Sequence, residues 1–452
     1  MFFLNLKKSG WLKNYLLYRL KFPFLQNKIF FEQGGRNSLY KNFDNYLYYV
    51  TKENGIIFGC PIITPSIKKL ACKLKFPPKK GEAVMLFLET LFSIALLENS
   101  ILLGNKNKLD NNSYERIFLK IIFLVINYHL PSIFYRIPKN IELRELLKNN
   151  ETMERCLKKL EFIFLESITL KGYSSLGNRQ NNFAFLNLYF FLLWARKNSK
   201  NIIYPPDSFH KMDSKIREEI IIMFAALIRS DSIIDNTESL VLENFIKQTY
   251  LPEKKQSELL FLIEKPFIKE KIEFNSKSLI IKKYIVEQLI LLSLVNNQKA
   301  WQEKKHIQKI SDYLGFSEKK LEELFFSVAD FFSKHNKRLE FLKKNPNIQQ
   351  FQDYMNDMTV SLVKKNLDKI LNEIKETKEL SELLFKSTSK KLTEKEKEKV
   401  KEQLLDIAKT IPALAIFALP GGGILFPTII KFLPFNILPS SFEDNFDSNQ
   451  KI

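Results

Sequence analysis

A run of twenty residues that carries no charge, Ile411–Ile430, constrains this chain more than any other feature. As a helix, such a run spans ~30 Å, which is the thickness of the hydrocarbon core of a bilayer. Prolines and three consecutive glycines interrupt the run, and in water these residues break a helix. In a membrane they are tolerated where neighbouring elements satisfy the freed backbone groups. The run therefore predicts a segment that lies in or on a membrane.

The flanks of this run differ in charge. Seven lysines lie between Lys390 and Lys409, whereas Lys431 and an acidic tail, 443–452, follow the run. A lysine bias of this kind holds the preceding part of the chain on the cytoplasmic side. Three arrangements fit the segment: a single crossing, a re-entrant hairpin that turns at the glycines, and a hairpin buried in a soluble fold.

Glycine and proline are scarce, with 13 and 17 in 452 residues. The many turns of a β-rich or α/β fold would require more of these residues. Two apolar stretches, 82–137 and 181–198, predict buried helices. The first contains Glu89, Glu98 and Lys120, which would be costly in lipid, and the second is too short to span a bilayer. We therefore predict an all-α fold of multi-helix soluble bundles, with one C-terminal membrane segment or helical hairpin.

Shifts in composition divide the chain into six regions. The boundaries are 1–80 for a basic, aromatic N-terminal region, 81–205 for an apolar helical bundle, 206–335 for a helical repeat domain, 336–410 for a charged helical connector, 411–442 for the membrane segment and 443–452 for the acidic tail. In the connector, Thr393 and Glu396 have the spacing of a capping box, which predicts the start of a helix there.

The N-terminal region is strongly basic. Residues 1–80 hold 15 Lys and Arg against 3 Asp and Glu, a net charge of +12. Such an excess attracts anionic lipid or RNA, and a solvated basic face without a partner is the alternative. An amphipathic helix expected near residues 11–25 could likewise lie on a membrane or cover a core. The candidate basic patch comprises Lys68, Lys69, Lys73, Lys75, Lys79 and Lys80.

A weak internal repeat occupies residues 206–335. In its first copy, Glu238 follows Asp231 by seven positions and Asp235 lies between them. This pattern resembles the tellurite-resistance protein B-like family, and the resemblance implies that these three side chains hold a metal ion. Helix capping is the alternative, because Asp235 and Glu238 have capping-box spacing. In the second copy of the repeat, Glu303 is the one acidic residue at the three equivalent positions.

The uncharged run is part of a longer motif. It resembles the membrane segment of the Letm family, the leucine-zipper and EF-hand transmembrane proteins, which has prolines at both ends and closes with Asn-x-Leu-Pro-Ser-x-Phe. The whole arrangement resembles the bacterial Letm-related biofilm-associated proteins, which implies a bacterial inner membrane with the bulk of the chain in the cytoplasm. The motif residues here are Pro412, Pro420, Gly421, Gly422, Gly423, Pro427, Pro434, Asn436, Leu438, Pro439, Ser440 and Phe442.

Two departures limit what the Letm resemblance implies. The eukaryotic family has an acidic residue three positions after the equivalent of Pro420, suspected in cation and proton exchange, and this chain has Gly423 there. The family's ribosome-binding domain follows the membrane motif, and here ten residues follow Phe442. Any ribosome contact is therefore expected from the basic N-terminal region, and exchange would require a homo-oligomer whose terminal segments line a path.

No catalytic motif is present. The glycine run lacks the Lys-Ser/Thr that grips a phosphate, and no GxSxG, HExxH or GxGxxG occurs. The three cysteines form no CxxC pair, and charged residues interrupt the apolar N-terminus, so no signal peptide is expected. We expect a non-enzymatic, cofactor-free membrane-anchored protein that acts by binding or scaffolding, linked by resemblance to biofilms or ion homeostasis. Cation/proton exchange and ribosome tethering are the alternatives.

Overall fold

The computed structural model of the chain is helical throughout the residues that it describes. Within that part of the chain there are nineteen α-helices and no strand, which confirms the all-α prediction. The described residues are 9–24, 43–74, 76–102, 110–168, 182–199, 206–228, 236–249, 251–264, 274, 276–295, 304–335, 346–387, 390–411 and 414.

The chain divides into two compact units, Met1–Ile285 and Val286–Ile452. The helices of the first unit are α1 (Trp11–Lys21), α2 (Phe43–Glu53), α3 (Pro65–Lys73), α4 (Lys80–Leu102), α5 (Asn111–His129), α6 (Pro131–Phe134), α7 (Leu143–Asn149), α8 (Glu151–Ile168), α9 (Ala184–Lys197), α10 (Pro206–Ile228), α11 (Asn236–Gln248) and α12 (Glu253–Glu264). A short 3-10 helix, Ile56–Phe58, follows α2.

The boundary between the units falls within α13 (Leu279–Val295). The remaining helices of the second unit are α14 (Lys304–Tyr313), α15 (Glu318–His335), α16 (Pro346–Lys365), α17 (Leu367–Glu376), α18 (Lys378–Ser387) and α19 (Glu394–Thr410).

None of the helices among these residues combines the length and the apolar character needed to cross a bilayer. The predicted membrane segment, 411–442, lies outside the described residues except for Ile411 and Leu414, which are both buried. The predicted boundaries of the six regions stay predictions.

Helix α4 lies at the centre of the first unit. It packs against α3, α5, α8 and α9, and its apolar residues from Ala83 to Leu97 are buried on every side. A helix with apolar residues on every face is buried either in a protein core or in lipid, and here neighbouring helices surround it. Two carboxylates expected to be costly in lipid, Glu89 and Glu98, lie buried in this helix, so the prediction of a buried helix is confirmed.

The buried Glu89 is held by a partner from α1. Arg19 Nε donates to Glu89 Oε1 at 2.9 Å, Arg19 Nη2 donates to the other carboxylate oxygen, and the Tyr15 hydroxyl donates to Oε1 at 3.0 Å. Arg19 Nη1 donates to the carbonyl of Phe22 at 3.2 Å. Burial lowers the pKa of Arg19, but the combined effects of Glu89, Tyr15 and Tyr114 outweigh burial, so the pKa of Arg19 is raised. The pair is thus a charged, fully hydrogen-bonded core contact.

The first helix covers the core of its unit. Its apolar face, which includes Trp11 and Leu16, is buried, and α1 packs against α7 and α8. A carboxylate from α8 caps its N-terminus: Glu161 Oε1 accepts the backbone N–H of Gly10 at 2.8 Å and of Leu12 at 2.9 Å. Of the two interpretations of this amphipathic helix, the structure supports the one in which it covers a core.

The second unit contains a group of three helices, α17, α18 and α19, which pack against one another. Its core is formed by apolar residues that recur at helical spacing, among them Ile370, Leu380 and Leu404. Thr393 and Glu396 form the predicted capping box at the start of α19: the Thr393 hydroxyl accepts the Glu396 N–H, and the Glu396 carboxylate accepts the Thr393 N–H at 2.9 Å.

Candidate functional site

The basic patch predicted from the sequence lies on and after α3. The Thr64 hydroxyl caps this helix by accepting the Ile67 N–H at 3.3 Å. Ile67 and Ala71 face inward, which turns the lysines outward. Five of the six predicted lysines are exposed, and Lys75 lies outside the described residues. The exposed lysines, here called the basic surface, are Lys68, Lys69, Lys73, Lys79 and Lys80.

Aromatic residues from α1 extend the basic surface. The Lys73 ammonium lies 4.6 Å from the ring centroid of Phe22 and 5.3 Å from that of Tyr18, and Lys21 lies 5.8 Å from Phe22. Among the described residues, no carboxylate forms an ion pair with the five lysines. The surface therefore keeps its full positive charge for an anionic partner.

Two further lysines of the basic surface, Lys79 and Lys80, lie in the turn that follows Lys73 and at the start of the next helix. Lys79 has a φ of 59°, and its backbone N–H donates to Glu82 Oε2 at 3.2 Å. Lys80 follows as the first residue of α4. Both side chains point to solvent because this turn packs its apolar residues, such as Phe76, inward.

The predicted metal ligands are not tested. Asp231 and Asp235 lie outside the described residues, and Glu238 falls in α11, where its side chain is also outside them. Over the part of the chain that the structure does describe, no group of three His, Cys, Asp or Glu side chains is arranged to hold a metal ion. The motif residues from Pro412 to Phe442 lie outside the described residues as well.

A polar cleft that the sequence did not predict opens in the first unit. It has a volume of about 310 Å³ and is lined by α5, α8, α9, α10 and the chain after α11. Its polar and titratable lining residues are Tyr128, His129, Glu166, Ser167, Asn187, His210, Asp213, Ser214, Arg217 and Thr249.

Arg217 organises the floor of the cleft. Its Nε donates to Asp213 Oδ1 at 2.6 Å, its Nη2 to Asn187 Oδ1 at 2.8 Å and its Nη1 to the Thr249 carbonyl at 3.3 Å. The Tyr128 hydroxyl also hydrogen-bonds with the Asp213 carboxylate. Burial raises the pKa of Asp213, while Arg217 opposes that rise. The floor is thus a rigid network in which the guanidinium is already satisfied.

Two histidines form one wall of the cleft. The His129 ring stacks on Phe191, with centroids 6.2 Å apart and planes 10° from parallel, and His210 lies 4.8 Å from the Tyr128 ring. Burial, with a contribution from His210, lowers the pKa of His129 to about 3. At neutral pH, His129 is therefore an uncharged imidazole that can both donate and accept a hydrogen bond.

One signal in the sequence could have indicated half of this cleft. His210, Asp213 and Arg217 recur at intervals of three and four within α10, so they share one helical face. Tyr128 and His129 end a different helix, more than 80 positions earlier in the chain, and nothing local connects them to α10. Tertiary packing alone brings the two groups together.

One family model matches the chain. Residues 392–452 match the family described as LETM1-like, RBD. The match begins just before α19 and continues through the uncharged run, so it supports the Letm-type motif at the C-terminus. No curated protein and no solved structure matches the chain, and the tellurite-resistance and biofilm-associated resemblances have no support from these comparisons.

Proposed function

We propose that this chain is a non-enzymatic, membrane-associated helical protein of the Letm-related type. It acts by binding or scaffolding at a bacterial inner membrane, with the bulk of the chain on the cytoplasmic side. In this proposal the segment 411–442 engages the bilayer, and the helical units present binding surfaces to cytoplasmic partners. A part in biofilm formation or ion homeostasis stays a prediction of the resemblance.

The observation that supports this proposal is the family match over 392–452. The matched residues contain the uncharged run Ile411–Ile430, which has the length of a membrane-spanning helix. The charged helices α17–α19 precede the run, and their exposed lysines favour the cytoplasmic side for that end. The residues before the match would then remain outside the lipid.

The test is membrane fractionation followed by an alkaline carbonate wash. The full chain should resist extraction, whereas a chain truncated after Thr410 should become soluble. A finer variant replaces Ile416 and Ile424 with Arg, since each Arg at the centre of a span costs about 2.5–3.5 kcal/mol. The matched control places two Arg residues in the acidic tail, at Asn445 and Ser448. If the full chain and the truncated chain extract equally, the proposal is wrong.

A second candidate function, tethering of a ribosome or RNA to the membrane, is favoured by the basic surface. Its five lysines are exposed and unpaired with described carboxylates, and phosphate contacts of this kind weaken steeply as salt rises. Replacing the five lysines with Gln should remove salt-sensitive ribosome co-sedimentation. The control variant changes five exposed lysines of the second unit instead: Lys365, Lys369, Lys375, Lys378 and Lys390. Equal loss in both variants would rule out a dedicated surface.

A further inference from the structure

The two stretches of chain that form the basic surface and its aromatic edge contain no acidic residue. Residues 1–31, which include α1, and residues 54–81, which include α3, hold twelve Lys and Arg and no Asp or Glu. A surface built from such stretches carries one sign of charge without local compensation. It therefore attracts anionic partners, over a distance of about 10 Å at moderate salt.

The glutamates that lie near these stretches do not neutralise the basic surface. Glu89 is buried in the core, and Glu154 pairs at 3.0 Å with Lys13, near the start of α1. Glu82 is 9% exposed, and its carboxylate accepts the backbone N–H of Lys79 rather than a side-chain ammonium. The charge of the lysines is thus available to a partner outside the protein.

An exposed aromatic ring lies among these lysines. Phe22 directly follows α1 and is 38% exposed, although the apolar face of α1 is buried. The ammonium groups of Lys73 and Lys21 lie 4.6 Å and 5.8 Å from the centroid of this ring. An apolar ring flanked by ammonium groups suits the boundary of a bilayer, where the ring enters the apolar side and the ammonium groups stay beside the phosphates.

The same surface supports the second candidate function, tethering of a ribosome or RNA, but the aromatic geometry favours lipid. Proteins that bind single-stranded nucleic acid stack its bases on aromatic rings. Here the Tyr18 and Phe22 rings lie 4.9 Å apart and are tilted by 38°, and the Lys73 ammonium lies over both of them. A stacking base would have to compete with this packing, whereas the exposed part of Phe22 can enter a bilayer without disturbing it.

We propose that the basic surface and Phe22 rest on an anionic lipid surface, so that the first unit contacts the membrane directly. The lysine ammonium groups bind lipid phosphates, and Phe22 enters the boundary between headgroups and acyl chains. Helix α1 keeps its apolar face on the core, and only its C-terminal end meets lipid. The proposal rests on the proposed membrane association, because an anchor at 411–442 keeps the surface within reach of a bilayer.

The native thiol of Cys72 provides a probe on the basic surface. It follows Lys68 by four positions and Lys69 by three, so it shares their helical face, and it is exposed whereas Cys60 and Cys156 are buried. A nitroxide spin label on Cys72 reports, by electron paramagnetic resonance, how often an uncharged, water-soluble nickel chelate collides with it. The full-length chain is reconstituted into vesicles of phosphatidylcholine, alone or mixed with phosphatidylglycerol, with the chelate on both sides of the bilayer.

We expect the label to be shielded from the chelate in anionic vesicles and open in neutral ones, with high salt removing the shielding. A lysine near an anionic surface favours contact about fivefold, so replacing the five lysines of the basic surface with Gln should lower the shielded fraction about tenfold or more. The five-lysine variant of the second unit is the matched control and should keep the shielding. A label at the exposed position of S132C, in a chain that also carries C72S, should stay open in both kinds of vesicle.

Phe22→Ser tests the apolar contact and keeps the backbone carbonyl that accepts a hydrogen bond from Arg19. Because it removes apolar area that lipid would cover, it should lower the shielded fraction about fivefold or more. Phe261→Ser, at a position of α12 that is 56% exposed, is the control and should have no effect.

Equal collision rates in neutral and anionic vesicles would refute the proposal. Shielding by a uridine oligonucleotide, but not by anionic lipid, would assign the surface to RNA and would refute it as well. Flotation of the chain with neutral vesicles tests the segment 411–442 separately, because the lysines find no anionic lipid there. A chain that does not float with neutral vesicles, but is shielded by anionic ones, would contradict the anchor and support the lipid surface.

Discussion

Each of the two units contains an ion pair between a basic side chain and a glutamate, and the two pairs differ in burial. In the first unit, the side chains of Arg19 and Glu89 are 0% and 5% exposed. In the second unit, those of Lys399 and Glu379 are 51% and 50% exposed. A buried charge has no water to replace a lost partner, whereas an exposed charge does. Burial therefore decides which of the two pairs the fold depends on.

Arg19→Met should have the largest effect, because it leaves Glu89 buried without its cation. We expect a loss of about 3–5 kcal/mol in the free energy of unfolding of the first unit, measured by urea denaturation. The double variant Arg19→Met/Glu89→Met removes both charges and should recover most of that loss. A single variant as stable as the wild type would mean that burial does not decide the importance of this pair.

The cleft extends the comparison to a half-buried group without a charged partner of its own. The pKa of His129 is lowered from 6.5 to about 3 by burial, with a smaller contribution from His210. Between these values the unfolded chain binds a proton that the folded chain excludes, so stability falls as pH falls, by up to about 1.4 kcal/mol per unit.

Replacing this residue should remove that dependence. His129→Gln is expected to flatten the stability profile between about pH 6.5 and pH 3 relative to the wild type, as followed by urea denaturation at several pH values. Parallel profiles for the two proteins would show that the imidazole is as accessible to protons in the folded chain as in the unfolded one.

A capping contact at the surface should have an intermediate effect. Thr393→Ala removes the hydroxyl that accepts the Glu396 N–H and should destabilise the start of α19 by about 1 kcal/mol. Hydrogen exchange of the first amides of α19 measures the change, and Thr393→Ser should restore protection. Equal exchange in the Ala and Ser variants would contradict a capping role.

The exposed ion pair should contribute least. Lys399→Met removes the contact with Glu379 at a position where both side chains are half exposed, and we expect a change below about 1 kcal/mol that disappears at high salt. Hydrogen exchange of α18 and α19 in low and high salt provides the measurement. An effect as large as that of Arg19→Met would break the comparison between the two units.

The sequence predicted local features better than distant ones. Scarce glycine and proline indicated an all-α chain, and the spacing of Thr393 and Glu396 predicted a cap that the structure confirms in both directions. Acidic residues within an apolar stretch predicted a helix buried in protein, and α4 is buried in the first unit. In each case the deciding information lies within a few residues, where helix geometry fixes which groups meet.

The long-range contacts could not be predicted in the same way. Glu89 lies in an apolar stretch and therefore needs a charged partner, but that partner, Arg19, is 70 positions away. No helical periodicity connects positions so far apart. In the cleft, α5 and α10 are brought together by the packing of aromatic rings. Nothing in the sequence indicates which residues of another helix lie opposite His210 and Asp213. Asp231, Asp235 and the motif residues from Pro412 to Phe442 lie outside the described residues, so the metal site and the membrane motif stay predictions.

The cap on the first helix imposes a delay during synthesis. Glu161, which accepts the N–H groups of Gly10 and Leu12, is 151 residues after Gly10. A ribosome that adds about 5–20 residues per second needs roughly 8–30 s to produce that interval. A helix of 11 residues is too short to persist alone in water. Throughout that time the segment 11–21 lacks the carboxylate that caps it, and the speed of translation sets how long it stays without that cap.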